Sequence, residues 1–513
     1  MLKFFLCLFL SLATLFTVCP YNALAVDAIN GGDIIYFVLT DRWRDGDPNN
    51  NQDVDKSQPK FYHGGDFEGI IQSIPYLKDL GVTTLWVTPV YKQIGKIGPD
   101  EDPSFSYHGY WFSNPNRVDR HLYSGDLYPE GDLRYFKDFV NKMHAEGIKV
   151  ILDLVFNHTG YHNDAYDAEV AAHPKETIRD DWFNRGGSGE IKGTLAGLPD
   201  INHDLVDVRD FFIKNTAAWI DCGIDGIRLD TTKHLEDALW QDLKKTIWSK
   251  YPNLIWIGEV LLFDVGTLAS YQNDDGLDSV FDFAFYQTIK DTFIYNASME
   301  KFAKKGLFPN EPDGLFDLDR LYRDPNLLAT VTDNHDLSSR ILTAIKGQYG
   351  DTEIAQKVMK LMFGLQFTTR GIPKIYYGTE VGLEGYSDPD NRKDMDFSRQ
   401  GSDLYNFVKR LIAIRKGSEA LQYGTLTTLY CDQFVYAFLR HYGNEEKIVV
   451  INNGLEEMPS PLSIAIATNS NLPSAVKERL NNSTLTDVLT GQTYSLSDSF
   501  AIALPGKGMA ILE

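Results

Sequence analysis

Four short segments place acidic residues where runs rich in Val, Ile and Leu end. They are Asp153-Leu-Val-Phe-Asn157-His158, Gly226-Ile-Arg228-Leu-Asp230, Gly258-Glu259-Val260 and Asp333-Asn334-His335-Asp336. When several parallel strands release carboxylates at one end of a barrel, that end is a catalytic mouth. Two carboxyls about 5–5.5 Å apart are what glycoside cleavage with retention needs, one as nucleophile and one as acid/base. Asp230 suits the first role. Arg228 lies two residues earlier, on the same side of the strand, and a guanidinium beside a carboxylate holds it ionised. Glu259 caps the apolar run Leu-Ile-Trp-Ile-Gly, where its neutral form is favoured, as a general acid requires. Asp336 adds a third carboxylate that can bind sugar hydroxyls, and His335 and His158 can hydrogen-bond hydroxyls beside the broken bond. A lone histidine at a strand end is more often structural, so the grouping carries the argument. The pattern predicts a protein that cuts or transfers glycosidic bonds.

Positioning these groups requires a parallel sheet. Strand-like runs fall at Ile34–Leu39, Thr83–Thr88, Lys149–Phe156, Gly226–Asp230, Leu254–Val260, Ser279–Phe283, Leu328–Thr332 and Ile372–Tyr377. Helical patterns separate them at Phe67–Leu80, Leu133–Ala145, Val208–Cys222, Glu236–Lys250, Thr352–Leu365 and Leu404–Arg415. Eight βα units predict an α/β fold, a closed (β/α)8 barrel. Residues 157–207 are a long connection rich in Gly, Asp, His and Asn that starts at a catalytic-looking strand end, so it should form one cleft wall. After residue 420 short alternating strands predict an antiparallel β-sandwich. The expected domains are thus the barrel over 26–156 and 208–420, an inserted domain over 157–207, and a C-terminal domain over 421–513.

Lys3, the apolar run Phe4–Val18 and the small residues Ala23-Leu24-Ala25 predict a signal peptide over 1–25, cleaved near Ala25, and a secreted product. Nothing later reaches the ~18 apolar residues of a membrane span. The formal net charge of −22 argues against nucleic acid and anionic membranes as partners. Cys7 and Cys19 fall in the signal, leaving Cys222 and Cys431, read as free thiols with a single long-range bridge as the alternative. A monomer is expected.

The four segments, in order and spacing, resemble the signature regions of the α-amylase family of glycoside hydrolases, which includes the cyclodextrin glucanotransferases. The resemblance runs over roughly residues 30–513. It implies a barrel, a B domain after the third strand, a C-terminal β-domain, and retaining chemistry on α-glucan polysaccharides or maltooligosaccharides. On that pattern Asp230 is nucleophile, Glu259 acid/base and Asp336 transition-state stabiliser. Tyr107-His108-Gly-Tyr110-Trp111 resembles the family segment whose second tyrosine stacks on the sugar at the cleavage point, with His108 a neighbouring hydroxyl ligand. Lys233 and His234 resemble sugar ligands after the nucleophile, and Asp388 and Arg392 resemble ligands further from the cut. The resemblance also implies Ca2+. Asn157, Asp200 and the His234 carbonyl match a site between barrel and B domain. Asp45, Asp47, Asn50, Asn51, Gly64 and Asp66 match a second, N-terminal site; calcium takes six to eight such hard oxygen ligands.

The N-terminal cluster points toward transferases, yet three features point to hydrolysis. Cyclising members carry a large aromatic where this chain has Ala196, and an aromatic pair where it has Val260 and Leu261. The sequence also ends after one C-terminal β-domain. A missing ring weakens binding of an acceptor sugar, so water should take the intermediate. An α-amylase hydrolysing internal α-1,4 bonds is expected, with a glucanotransferase as the alternative and an inactive glucan-binding protein as the remaining one.

Overall fold

The computed structural model describes residues 27–186, 189–273, 276–303 and 313–513. The expected signal segment lies outside them. Eight parallel strands close into a barrel: β1 Ile35–Val38, β2 Thr84–Val87, β3 Lys149–Leu154, β4 Gly226–Leu229, β5 Ile255–Gly258, β6 Ser279–Asp282, β7 Ala329–Val331 and β8 Ile372–Tyr376. Closure is made by β1, which pairs in parallel with both β2 and β8. All eight expected strands form, each a little shorter than its apolar run. The run at Ser279–Phe283 ends at Asp282 because that side chain accepts from the Phe285 N–H at 2.9 Å and starts the next helix. The barrel interior is packed rather than hollow. Phe37 stacks on Trp86 at 3.6 Å, and Trp86 stacks on Phe281 at 5.2 Å.

The helical segments depart from expectation where local chemistry interrupts them. The segment from Phe67 to Leu80 splits at Ser73 into Phe67–Gln72 and Ile74–Leu80. Pro75, near the start of the second piece, has no N–H to continue the first, and Ser73 Oγ donates instead to the Gly69 carbonyl. The segment expected over Glu236–Lys250 is helical from Asp237 to Leu243 and then widens into a π-turn, Lys244–Trp248. Helices at Val265–Asn273, Phe283–Ile289 and Ile341–Tyr349 complete the outer ring and were not expected.

Two excursions rise above the strand ends. A bulged antiparallel hairpin, Tyr91–Gln93 with Phe112–Val118, carries Tyr107–Trp111 in its loop. The connection after β3 contains the helix Asp164–Ala172 and is tied back by the bridges His158↔Asp200 and Phe183↔Ile201.

Beyond the barrel, β9 Thr425–Cys431, β10 Val435–Tyr442, β11 Glu445–Asn452 and β12 Gly508–Leu512 form an antiparallel sheet in that order. Near the C-terminus the chain makes two strands, Ser499–Ile502 and Gly508–Leu512, separated by Pro505-Gly506 and paired to different partners. Alternation along β10 and β11 buries both faces of the sheet. Tyr436, Phe438, Val449 and Ile451 join the barrel's core, while Ala437, Leu439, Ile448 and Val450 form a second one. Cys222 and Cys431 are free thiols.

Two buried arginines stitch the barrel's lower end. Arg415 donates to the carbonyls of Phe367, Thr369, Gly31 and Gly371 at 2.5–3.2 Å, and Arg440 donates to those of Thr368 and Gly424. Replacing Arg415 with Leu strands four buried carbonyls. The expected cost is about 3–5 kcal/mol, of the size seen when buried charged groups lose a partner, read as a lower midpoint in urea unfolding.

Candidate active site

Arg228 is fully buried on β4 and touches three carboxyls. Its Nη1 donates to Asp153 Oδ1 at 2.8 Å and to Asp230 Oδ1 at 2.6 Å. Its Nη2 lies 2.8 Å from Glu259 Oε1, an ion pair without hydrogen-bond alignment. The three acids leave three adjacent strands: Asp153 lies on β3, Asp230 directly follows β4, and Glu259 directly follows β5. Burial raises the Glu259 carboxyl above the usual range, with Asp230 adding to it and Arg228 opposing. A bond from the Thr231 N–H to Glu259 Oε2 at 3.0 Å also opposes it. Asp230 differs from expectation. Arg228 does pull it down, but desolvation is the larger effect and leaves its carboxyl raised.

Asp336 faces these acids across a cavity of about 500 Å³. His335 Nε2 lies 3.0 Å from its Oδ2 and Arg392 Nη2 lies 3.2 Å from its Oδ1. Its side chain keeps 36% of its exposure toward the open cleft. Burial between the walls and the charge of Glu259 push its carboxyl up to about 6. Every catalytic and sugar-binding residue expected from the sequence lines this cavity except Arg228, which lies beneath it. The side walls are aromatic and imidazole rings. Tyr110 stacks on His335 at 5.3 Å, and Trp111 meets His108 edge-on. Burial keeps His108 and His335 well below the ordinary histidine value and takes His158 down to about 4, so all three are neutral near pH 7. Neutral imidazoles can both donate to and accept from sugar hydroxyls. At one rim Asp388 accepts from Tyr107 at 2.8 Å and pairs with Arg392 at 3.3 Å. At the other, Lys233 pairs with Glu190 at 2.8 Å, and His234 Nδ1 lies 2.5 Å from the Glu190 carbonyl. Ala196 sits over the cleft in a left-handed turn, φ 52°, followed by Gly197 at 82°.

Among the described residues no three His, Cys, Asp or Glu side chains gather as a metal cage. Any cation must therefore use amide and main-chain oxygens as well. Where the connection after β3 bridges back, Asp200 pairs with His158 and the Asn157 carbonyl accepts from the Ile201 N–H, and His234 is near enough to Asp200 to affect its charge. Asp200 Oδ1 is buried without a partner, and burial pushes the carboxyl up to about 6. The N-terminal cluster is equally local. Asn50 Oδ1 and Asn51 Oδ1 are buried and unpartnered, Asp45 accepts from Asn51 Nδ2 at 2.8 Å, and Gly64 packs against both Asn51 and Asp45. Asp66 has a different position. Its carboxylate already accepts from the N–H groups of Gly46, Asp47 and Gly69 and from Asn50, so it organises the loop from behind. Asp47 likewise caps its own turn, accepting from Asn49.

A carboxyl triad in an aromatic cleft at a barrel mouth has known relatives. The family description "Alpha amylase, catalytic domain" matches residues 37–194 and 190–399. The chain belongs to the alpha-amylase family. A beta/alpha-amylase of Paenibacillus polymyxa is 34% identical over 433 residues, covering 82% of this chain and 33% of that protein. A cyclomaltodextrin glucanotransferase of Bacillus licheniformis is 30% identical, covering 90% of this chain and 62% of that one. The chain thus spans from a third to about three fifths of these relatives' lengths. Two solved structures match at a TM-score of 0.77. An Anoxybacillus alpha-amylase is 29% identical and covers 94% of this chain and 98% of its own. CldA, described as a cyclomaltodextrin glucanotransferase with a three-domain ABC distribution, is 27% identical and covers 93% and 98%.

Three groups at this alpha-amylase family site were given no role from the sequence. Asp153 accepts from Tyr110 Oη at 2.7 Å and Trp86 Nε1 at 3.2 Å as well as from Arg228, and burial pushes it up to about 8. Its signal was a lone carboxylate inside the apolar strand Lys-Val-Ile-Leu-Asp-Leu. Lys374, buried on β8, and Glu190, from the insertion, carried no local signal.

Arg228 lowers all three cleft carboxyls, so Arg228→Gln moves the acid limb of the pH–activity profile to higher pH. Stranding its partners also costs about 3–5 kcal/mol, measured by denaturant unfolding at pH 7.

Proposed function

We propose that this chain is a retaining α-amylase that hydrolyses internal α-1,4 bonds of starch- or glycogen-type glucans. The observation that carries the reading is the pair Asp230 and Glu259 bracketing one guanidinium, with Asp336 opposite. Two carboxyls held on one guanidinium suit the short spacing of retaining enzymes, about 5–5.5 Å, rather than the wider inverting one. Asp230 attacks the anomeric carbon while Glu259, whose carboxyl burial pushes above its ordinary value, gives its proton to the departing glycosidic oxygen. Water then attacks the glycosyl–Asp230 ester, releasing the carboxylate and returning a proton to Glu259. Asp336 bonds sugar hydroxyls and supports the positive charge that develops at the anomeric carbon.

Hydrolysis rather than transfer is favoured by the cleft lining. Ala196 and Leu261 stand on its walls and offer no ring on which an acceptor sugar could stack. Transfer is the second reading, and the likeness to the three-domain CldA supports it. The basic, apolar and small-residue pattern of residues 1–25 supports export of a mature chain, and no described helix is long and apolar enough to cross a membrane. We also assign calcium to both oxygen clusters, which the unpartnered oxygens of Asp200, Asn50 and Asn51 support. Asn157, Asp200 and the His234 carbonyl would hold the insertion against the barrel. Asp45, Asn50, Asn51 and the Gly64 carbonyl would close the loop after β1, with Asp47 and Asp66 shaping it. A calcium ion there supplies fixed positive charge and rigidity.

Incubating the purified protein with soluble starch and calcium is expected to give linear maltooligosaccharides with a rapid fall in iodine staining. Glu259→Gln should lose at least 10³-fold of the rate. Cyclic or lengthened glucans at early times would overturn the hydrolytic reading. Activity (kcat/KM) should rise through about pH 6 as Asp336 ionises. Calcium binds ionised Asp200, whose carboxyl is pushed up to about 6, so protons compete below that pH. The gain in Tm from added calcium should therefore shrink as pH falls through 6, measured by scanning calorimetry against EDTA controls.

A further inference from the structure

Lys374 is an amine sealed inside the barrel, and burial pulls its pKa down to about 7, so it is an ammonium below that pH. It sits on β8 with no exposed surface, inside a box of Phe37, Trp86, Phe281 and Tyr376 whose ring centres lie 5.7–6.0 Å from its Nζ. Burying a cation is costly unless its donors are satisfied. Its acceptors here are the Asp333 carbonyl at 2.6 Å and, more distantly, Asn334 Oδ1 at 3.4 Å, rather than a carboxylate. Both belong to the turn that presents His335 and Asp336 to the cleft. The charged side chains that bear on it are Asp333 and Asp336 from that turn, Arg228 from β4 and Arg340 from beyond the turn.

Below about pH 7 Lys374 is an ammonium that can only donate, so the Asn334 amide turns its oxygen, not its nitrogen, toward the barrel. His335 Nδ1 lies 3.0 Å from the same oxygen and must therefore carry a hydrogen. His335 is neutral, so its other nitrogen, Nε2, is left with a lone pair. That lone pair faces Asp336 Oδ2 at 3.0 Å. One proton has to lie between them, supplied by the Asp336 carboxyl or by a hydroxyl that enters the cleft.

We propose that Lys374 is a positioning residue that, through Asn334, fixes His335 in its Nδ1-protonated form. His335 then accepts, rather than donates, the hydrogen bond it shares with Asp336 and a substrate hydroxyl. This deepens the glucan-cleaving reading above and rests on it for its effect on rate. Above about pH 6 an ionised Asp336 and the Nε2 lone pair repel each other. A glucan hydroxyl donating its hydrogen into that gap relieves the repulsion, which suits a site meant to grip sugar rather than water.

The test is Lys374→Met, of similar length but unable to donate, made in the full chain and labelled with ¹⁵N-histidine. Wild-type protein should show His335, assigned by its loss in His335→Gln, as the Nδ1–H tautomer. In Lys374→Met the signal should move to the Nε2–H tautomer or a mixture. On a blocked maltoheptaoside, kcat per titrated active site should fall ten- to a hundredfold with KM within threefold. Tm should fall, because the Asp333 carbonyl loses its donor, which is why the rate is read per titrated active site. Lys374→Gln, whose amide NH2 can still donate, should recover part of the rate. An unchanged His335 tautomer overturns the proposal, as does a fall in Tm with kcat per active site unaltered. If the Met variant does not accumulate, Asn334→Leu breaks the same relay and must give the same spectral change. The nitrogen spectrum needs no turnover, so an inactive wild type would refute the proposed reaction while leaving this relay to be decided by its own signal.

Discussion

Everything at the mouth of this barrel is arranged around one buried cation. Arg228 stands beneath the cleft with Asp153, Asp230 and Glu259 on its two terminal nitrogens. Three carboxyls so close would suppress one another's ionisation still further without it, and their charge in turn offsets the cost of burying this guanidinium. The mutual dependence fixes geometry as well as charge. A planar fork sets the separation of its partners in a way that a lysine's point charge would not. The strand order brings β3, β4 and β5 side by side, so the three acids reach one fork without any loop having to fold over.

The charge is unevenly shared, and that suits the chemistry. Glu259 takes its support from a main-chain N–H and a poorly aligned ion pair, whereas Asp230 takes a direct, short bond from Arg228. Glu259 is thus held less firmly as an anion than Asp230, in keeping with the proposed roles of acid and nucleophile. Asp336 is stabilised from the other side by Arg392. The aromatic stack of Phe37, Trp86 and Phe281 supports this layer from below and excludes water from the guanidinium. Pre-set dipoles in a dry pocket are worth more than the same groups in water.

Much of this was legible in the residues. The eight strands are short runs of Val, Ile and Leu ended by polar groups, so burial on both sides announced them. The triad was legible because each acid ends such a run. The hairpin Tyr91–Gln93 with Phe112–Val118 was not, since Phe-Ser-Asn-Pro-Asn-Arg-Val alternates poorly and contains a proline. The helices Phe283–Ile289 and Ile341–Tyr349 are short, and tertiary packing rather than a long period defines them. Lys374 and Glu190 escaped notice for another reason. Their partners are remote in the chain or are main-chain atoms, and no local pattern encodes a contact from β8 to the turn after β7. Asp66 shows the converse limit: its residue type suggested a calcium ligand but not the four N–H groups it holds in the loop.

The arginines at the barrel's other end bear on how the molecule comes apart. Arg440 belongs to the C-terminal sheet yet donates to Thr368, at the end of the helix leading into β8. One face of the same sheet, through Tyr436 and Phe438, is built into the barrel's own hydrophobic core. Detaching the sheet would leave both an unsatisfied guanidinium and an open apolar wall. The two parts therefore share one cooperative unit: the C-terminal sheet acts as the barrel's floor rather than as cargo, and the catalytic mouth inherits its rigidity from contacts made at the opposite pole.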